Sequence, residues 1–264
     1  MTDTTDILVD LSCGVAEITL NRPTRMNSFT ESMHRDLYNR LVALLAKDDC
    51  RAILLTGAGN AFCTGQDLND RDPRKLSGKP DLQHSLTTQF NPLITLIRSA
   101  RLPVVCAVNG VAAGAGANLA LACDLVVAAD NASFIQSFAK VGLLPDAGGS
   151  WILPRLVGEA RAKAIAMTGL PVSAEQAMAW GMIWHVYDAG SLMPEARALA
   201  VRLANGPILG TGATKQAIQQ SYDHTFEEHL QLEAQWQGDL GRSDDYAEGV
   251  VAFLEKRKAV FRGS

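Results

Sequence analysis

Short apolar strands alternate with helical segments over most of the chain, and this alternation restricts the fold more than any other feature. Ile7 to Leu20 alternates around Cys13-Gly14, a pattern typical of a β-hairpin. A helix with one apolar face is predicted from Met33 to Leu45. Further short strands and helices are predicted at 51–57, 86–100, 104–108, 115–122, 125–128 and 133–135. Strands that alternate with helices indicate an α/β fold with parallel strands.

The pattern changes after about residue 190, where the strand signals stop. Amphipathic helices are predicted beyond it, at roughly 191–205, 211–221, 225–238 and 245–258. We therefore divide the chain into an α/β core, residues 1–195, and a C-terminal helical region, residues 196–264, that packs on the core or on a neighbouring subunit. Two local predictions are a capping box of Ser28 and Glu31 that starts the first long helix, and an exposed loop at 69–83.

Composition excludes several classes of protein. The chain has 264 residues, enough to bury a core without staples, and its net charge of −4 gives no basis for nucleic-acid binding. The five cysteines lack CxxC spacing and the first six residues are acidic, so we expect reduced thiols, no metal site and a cytoplasmic location. The uncharged segment Val104–Cys123 has membrane-spanning length, but asparagines and glycines interrupt it. We expect it to be buried core, without membrane contact.

Two glycine-rich loops, 57–67 and 109–118, follow buried strands. Backbone N–H groups in tight glycine turns and at helix starts often lack partners, so two such loops can each offer one donor to a single carbonyl oxygen. Gly114-Ala-Gly116 also resembles part of a dinucleotide-binding motif, although Leu119 stands where that motif needs a third glycine. The alternative for these glycines is close packing of a helix start on a strand.

Asp146 lies between Pro145 and a glycine pair, just before a predicted helix. An aspartate in this position is either the N-cap of the helix or a carboxylate that takes part in catalysis, and both possibilities stay open at this point. The five histidines show no metal-ligand spacing, so we expect them at the surface or at helix caps.

Taken together, these segments resemble the crotonase family of enoyl-CoA hydratases and isomerases. The matching segments follow one another along nearly the whole chain, at 20–27, 62–68, 103–124, 142–158 and 173–182. The resemblance implies a spiral of β-β-α turns followed by C-terminal helices that build trimers, often paired into hexamers. It also implies an acyl-CoA substrate and no cofactor or metal beyond the coenzyme A that the substrate carries.

The resemblance assigns site residues by position. The oxyanion hole falls on the backbone N–H groups of Gln66 and Ala115, and the acid/base falls on Asp146. Positions expected to bind substrate are Arg25, Asn27, Gly65, Asp67, Leu68, Gly114, Asn118 and Phe138. For Asn118 the alternative is that it only orders the loop, and the sequence does not decide between the two. Lys256 and Lys258 are weaker candidates for contact with the CoA 3′-phosphate.

Two departures from the family pattern concern the chemistry. Hydratases of this family use two glutamates to hold and deprotonate a water and to protonate the α-carbon, and Asn118 and Phe138 occupy those positions here. Neither an amide nor a phenyl ring acts as a general acid or base, so the sequence argues against efficient water addition. Asp146 occupies a position that the dienoyl-CoA isomerases of the family use for proton transfer. Apolar neighbours such as Phe138 are expected to raise its pKa.

One branch of the family is most similar to this sequence, on segments 65–70, 91–93, 138–149 and 241–249. That branch isomerises ring-1,2-epoxyphenylacetyl-CoA to oxepin-CoA and shifts 3,4 double bonds of enoyl-CoA esters to the 2,3 position, and we expect the same of this chain. The alternatives are an enoyl-CoA hydratase or dienoyl-CoA isomerase of fatty-acid oxidation and, in another class, a non-catalytic subunit that binds CoA esters. An NAD-dependent oxidoreductase is a more distant alternative.

Overall fold

The computed structural model describes residues 5–75 and 78–264. Residues 1–4 of the acidic N-terminus and residues 76 and 77 of the loop predicted at 69–83 lie outside the described residues. Over the described ranges, no helix is both long and apolar enough to cross a bilayer. The uncharged segment Val104–Cys123 instead folds into two strands and a short helix.

The secondary structure is as follows. The strands are β1 (Ile7–Ser12), β2 (Val15–Leu20), β3 (Ala52–Gly57), β4 (Ala61–Cys63), β5 (Val104–Val108), β6 (Val111–Ala113), β7 (Leu125–Ala129), β8 (Ser133–Ile135), β9 (Val172–Ser173) and β10 (His185–Tyr187). The helices are α1 (Glu31–Leu45), α2 (Leu82–Ser85), α3 (Asn91–Ser99), α4 (Ala115–Leu121), α5 (Gly149–Val157), α6 (Glu159–Thr168), α7 (Ala174–Ala179), α8 (Leu192–Ala204), α9 (Ile208–Gln220), α10 (Phe226–Leu240) and α11 (Asp244–Leu254).

The larger sheet has the spatial order β1-β2-β3-β5-β7-β10. β1 and β2 form an antiparallel hairpin in which Ser12 pairs with Val15. Cys13 and Gly14 between them both have positive φ, which suits a two-residue hairpin turn. The remaining neighbours in this sheet are parallel. The structure therefore confirms the predicted hairpin and the predicted α/β class with parallel strands.

A second sheet has the order β4-β6-β8-β9. The structure confirms the strand predicted at 133–135 as β8, but β4, β6 and β9 were not predicted from the sequence. The sequence predicts glycine-rich loops at 57–67 and 109–118, but β4 and β6 lie inside these two segments. The two segments are therefore partly strand. Gly116 lets α4 begin directly against β4, because a Cβ there would overlap the carbonyl oxygen of Cys63. Close packing of a helix start on a strand is thus the structural role of Gly116.

The four C-terminal helices are confirmed, with ends that differ by a few residues from the predicted ones. The predicted boundary between residues 195 and 196 falls inside α8, however. α8 packs against β3, β5 and β7 of the larger sheet through one apolar face, formed by Leu192, Ala196, Ala200 and Ala204. Helix α8 is therefore part of the core layer, and the helices that follow it form the C-terminal region.

The start of α1 differs from the prediction. Its N-cap is Thr30, whose side chain accepts a hydrogen bond from the N–H of Met33, so the predicted capping box of Ser28 and Glu31 is wrong. Phe29 explains the difference, because its backbone pairs with the segment around Gln66 in an extended bridge. The helix can begin only after that extended pairing ends.

Candidate active site

Two backbone N–H groups from different loops lie without partners near the start of α4. The backbones of Gly65 and Asp67 both pair with Phe29, which turns the N–H of Gln66, between them, away from that bridge. Ala115 is the first residue of α4, and its N–H precedes the helical hydrogen-bond pattern. Within residues 5–75 and 78–264, neither N–H donates a hydrogen bond.

Gly65 brings these two donors together. Its φ is +83°, and a Cβ added to it would lie 3.1 Å from the nitrogen of Ala115 and 3.1 Å from the carbonyl oxygen of Ala113. A side chain at this position would therefore crowd the Ala115 N–H, and the backbone conformation itself favours glycine. Two free donors on adjacent loops are the arrangement that holds a carbonyl oxygen as it gains negative charge.

Asp146 precedes α5 without capping it. The N-cap of α5 is Gly148, with no side-chain cap hydrogen bond, so the structure removes the alternative of an N-cap aspartate. Ala147 and Gly148 both have positive φ, which turns the chain sharply between the carboxylate and the helix. The Oδ1 atom of Asp146 is buried and has no partner among the described residues.

Burial raises the pKa of Asp146 to about 6, and a hydrogen bond from its own backbone N–H offsets part of that rise. A carboxylate of this kind is largely ionised at pH 7, yet it binds a proton far more readily than an exposed aspartate. It can therefore accept and return a proton near neutral pH.

Asn118 connects Asp146 to the start of α4. Its side chain is fully buried, with 0% exposed surface. Its Nδ2 atom donates to the backbone oxygen of Asp146 at 2.8 Å, and its Oδ1 atom accepts from Nε2 of Gln136 at 2.7 Å. The sequence left open whether Asn118 touches substrate or orders the loop, and this placement favours the second role. The helix that begins with Ala115 thus also fixes the loop that carries Asp146.

Phe138 contributes an apolar wall beside the oxyanion donors. Its side chain is buried, and a Cβ added to Gly114 would lie 3.8 Å from its ring atom Cζ. Gly114 precedes Ala115 directly, so the ring packs next to the second N–H donor. Leu143 and Leu144, which lead into the Asp146 turn, are exposed to solvent.

The side chains of Asn27 and Asp67 form hydrogen bonds with other parts of the protein. The amide of Asn27 is completely buried, donates to two backbone carbonyls and accepts from the N–H of Arg22 at 2.8 Å. Asp67 pairs with the Arg22 guanidinium at 3.2 Å and accepts from the N–H of Asn69 at 3.1 Å. These contacts argue against the predicted substrate contact by either side chain, because both are committed to holding their loops.

The other predicted contacts lie at the surface. Arg25 and Leu68 are exposed on the loops that precede α1 and follow Gln66. Lys256 and Lys258 are exposed beyond the end of α11. A bound coenzyme A could reach these side chains only from solvent, so their roles stay predictions.

Two side chains near this site were missed by the sequence analysis. Gln136 orients Asn118, and nothing in its local sequence distinguishes it from an ordinary residue at a strand end. His34 was expected at the surface or at a cap, but it is 2% exposed inside the protein, so that expectation is wrong. Its place on the apolar face of α1, one residue after Met33, is the signal that could have revealed its burial.

Comparison with known proteins agrees with these features. The family model described as enoyl-CoA hydratase/isomerase matches residues 10–264. A curated relative from Escherichia coli (strain K12), named 1,2-epoxyphenylacetyl-CoA isomerase, is 49% identical over 257 residues, which are 97% of this chain and 98% of the relative. A relative from Rhodobacter capsulatus, named probable enoyl-CoA hydratase, is 46% identical over 97% of this chain and 98% of its own length. The crystal structure of an enoyl-CoA hydratase from Bacillus anthracis superposes with a TM-score of 0.93 at 32% identity, covering 98% of this chain and 100% of that one.

Proposed function

The chain belongs to the enoyl-CoA hydratase/isomerase family, and from that premise we propose that it is an acyl-CoA isomerase. We propose that it converts ring-1,2-epoxyphenylacetyl-CoA to oxepin-CoA and also shifts 3,4 double bonds of enoyl-CoA esters to the 2,3 position. One observation carries this proposal: the buried Oδ1 atom of Asp146 has no partner among the described residues, and Asn118 ties the Asp146 loop to the helix that begins at Ala115, one of the two unpaired N–H donors. The relative named 1,2-epoxyphenylacetyl-CoA isomerase supports the choice of substrate.

In the proposed mechanism, the N–H groups of Gln66 and Ala115 donate to the thioester oxygen. Asp146 accepts a proton from the carbon next to the carbonyl, and the electron pair moves into an enolate whose oxygen the two donors hold. The same proton then returns to a carbon further along the acyl group while the double bonds shift. With the ring epoxide, the C–C bond that the epoxide oxygen bridges also breaks as the double bonds rearrange, and this opens the six-membered ring to the seven-membered oxepin. No atom is gained or lost, so one carboxylate is sufficient. Removal of one oxyanion donor typically costs about 3–4 kcal/mol of barrier.

Hydration is the alternative that the names of several relatives raise. A hydratase has to hold a water, deprotonate it and protonate the α-carbon, which needs two titrating groups. Here Asn118 uses its amide on the backbone of Asp146, and Phe138 presents a ring that cannot bond to water. We therefore expect slow hydration of crotonyl-CoA, and rapid hydration would exclude the proposed assignment.

A non-catalytic subunit that binds CoA esters is the alternative from another class. Such a protein has no need for a carboxylate that burial holds partly protonated near pH 6, because an ionisable group without partners lowers stability. Asp146 thus favours catalysis over binding alone.

The proposal includes the oligomeric state, the cofactor requirement and the cellular location of the enzyme. We expect a homotrimer or a dimer of trimers, as the family resemblance implies. The reaction requires no cofactor other than the coenzyme A of the substrate. A cytoplasmic location suits the five free cysteines.

A coupled assay tests the proposal. Phenylacetyl-CoA is supplied with an oxygenase that forms the ring epoxide, the protein is added, and oxepin-CoA is followed by chromatography and mass spectrometry. We expect conversion by the wild type and by Asp223→Asn, which removes an exposed carboxylate of the C-terminal region. Asp146→Asn should convert none. If Asp146→Asn is as active as the wild type, the proton-transfer role is wrong; if no form converts the epoxide, the substrate is wrong.

A further inference from the structure

His34 is a buried histidine whose hydrogen-bonding capacity is unused. It lies on α1 and is 2% exposed. Neither ring nitrogen has a hydrogen-bond partner among the described residues. Leaving a buried polar group unpaired lowers stability, so a histidine in this state needs an explanation beyond packing.

Aromatic rings enclose the imidazole on two sides. The ring of Phe29 stacks on it with a centroid distance of 4.2 Å and an angle of 23°. Phe90 meets it edge-on at 3.9 Å. Phe90 ends a π-helical turn, Leu86–Phe90, where the sequence predicts a continuous α-helix, and such turns occur frequently at functional sites. A phenylalanine at position 34 would satisfy this packing without an unpaired nitrogen.

Phe29 connects the histidine to the oxyanion loop. Its backbone bonds to Gly65 and Asp67, on either side of Gln66, while its ring stacks on His34. The side chain of Gln66 also donates to the backbone oxygen of Phe29 at 3.2 Å, and its Oε1 atom is buried without a partner in the described part of the chain. One residue therefore separates the proposed site of the thioester oxygen from the unpaired imidazole.

A cavity adjoins His34. Its volume is about 500 Å³, which is within the range of small-molecule sites. The lining comes from α1 and from the segment that includes α2 and the π-helical turn: Glu31, His34, Arg35, Tyr38, His84, Thr88, Gln89 and Pro92. A planar ring of the size of a phenyl group fits such a space.

The imidazole is uncharged at neutral pH. Burial lowers the pKa of His34 to about 4, and the positive charge of Arg71 adds to that effect. Arg71 is itself held by the hydroxyl of Ser85 at 2.7 Å. A neutral imidazole offers one N–H donor and one lone pair, which suits an uncharged ligand group.

We propose that His34 determines substrate specificity by donating its ring N–H to an uncharged oxygen on the acyl group, such as that of an epoxide or a cyclic ether. This inference rests on the proposed function, because it places the far end of that same acyl group between α1 and the π-helical turn. Phe29 and Phe90 fix the position of the imidazole, Tyr38 and Pro92 line the cavity that takes the ring of the ligand, and His34 selects rings that carry oxygen over pure hydrocarbons.

Binding of two matched thioesters tests the inference without turnover. The probes are tetrahydropyran-2-ylacetyl-CoA and cyclohexylacetyl-CoA, which differ by an oxygen in place of one ring methylene. By calorimetry, the wild type should bind the ether about fivefold more tightly, the ratio that corresponds to a net hydrogen bond of about 1 kcal/mol. His34→Phe should bind both probes equally. His84→Phe, which changes an exposed histidine of the same cavity, should keep the preference.

A second measurement covers the case in which His34→Phe fails to fold. In wild-type protein labelled with nitrogen-15 at histidine, the ether should shift the ring resonances of the buried neutral histidine, and cyclohexylacetyl-CoA should not. Equal affinity of the wild type for both probes, or a preference retained by His34→Phe, would overturn the inference. That outcome is distinct from failure of the proposed function, which shows as absent isomerisation whichever probe binds better.

Discussion

Replacing Asp146 by asparagine should stabilise the fold while it abolishes isomerisation. Burial raises the pKa of the carboxyl from its ordinary value of 3.8 to about 6. The folded protein therefore binds a proton at this group that the unfolded chain has already released. Keeping the group ionised in the folded state lowers stability, and Asp146→Asn removes that cost.

The sign and the pH window follow from linkage. Between about pH 4 and pH 6, the folded state holds more protons at this site than the unfolded state, so the stability of the wild type falls as pH rises. A pKa unit corresponds to about 1.36 kcal/mol, which sets an upper limit of about 3 kcal/mol. Because the carboxylate is only partly buried, we expect about 1–3 kcal/mol. The stability of Asp146→Asn relative to the wild type should increase through this window and level off above it.

Urea denaturation at fixed protein concentration, repeated from pH 4 to pH 7, measures this difference. Asp67→Asn is the control of opposite sign. Burial alone would raise the pKa of Asp67, but hydrogen bonds from Asn69 and Arg22 outweigh it and lower the pKa. The stability of Asp67→Asn relative to the wild type should therefore decrease as pH rises through the acid range. A difference between Asp146→Asn and the wild type that stays constant across the window would refute the reasoning.

Three further predictions concern the loops and the tail. Gly65→Ala places a methyl group beside the Ala115 N–H and strains the backbone. The value of kcat should therefore fall about 100-fold, while the affinity for CoA esters is kept. A kcat within twofold of the wild type would contradict the oxyanion assignment. Asn118→Leu removes the hydrogen bond to the backbone of Asp146. Urea denaturation should show a loss of about 1–3 kcal/mol in the free energy of unfolding, and kcat of the folded fraction should also fall. An unchanged kcat would mean that Asn118 only stabilises the fold. Arg51→Met removes hydrogen bonds to four backbone carbonyls, two of them in the C-terminal tail. Hydrogen exchange of residues 260–264 should accelerate, and kcat should stay unchanged. Unaltered exchange would show that other contacts hold the tail.

The strands β1, β2, β3, β5 and β7 of the larger sheet were predictable because each has a periodic or continuous apolar run, whereas β10, with the sequence His185-Val-Tyr187, has none and was not predicted. β3 and β5 read as short buried strands, and the observed bounds differ from the predicted ones by at most one residue. Of the smaller sheet only β8 was predicted, because strands of two or three residues such as β4 and β9 are too short to show a period. Their identity as strands depends on partners that are distant in sequence.

The start of α1 shows the same limit at a single residue. Ser28 and Glu31 have the spacing of a capping box, but the bridge between Phe29 and Gln66 keeps the backbone extended past Ser28. The pairing of Phe29 with a distant segment therefore prevents a capping box that the local spacing of residues favours. The burial of His34 has a related cause, because the rings of Phe29 and Phe90 that enclose it come from outside its own helix.

The family resemblance predicted the residues of the candidate site, whereas the separate role of each residue required the structure. Asn118 and Asn27 have the same side chain, and both were expected to bind substrate. The structure gives each a different loop to hold, and it also removes the N-cap alternative for Asp146. Sequence spacing does not carry this information, because each contact joins residues that are distant along the chain.

An amide at position 118 changes what the neighbouring carboxylate can do. Gln136 donates to Oδ1 of Asn118, which directs Nδ2 at the backbone oxygen of Asp146. An ionised glutamate at this position could not donate that hydrogen bond, and its negative charge would raise the pKa of Asp146 further. With Asn118, Asp146 titrates near pH 6 in a fixed loop and without a second carboxylate from this position. The amide at this position, which cannot serve as an acid or base in hydration, therefore fixes the loop of the carboxylate that we propose as the base for proton transfer within the acyl group.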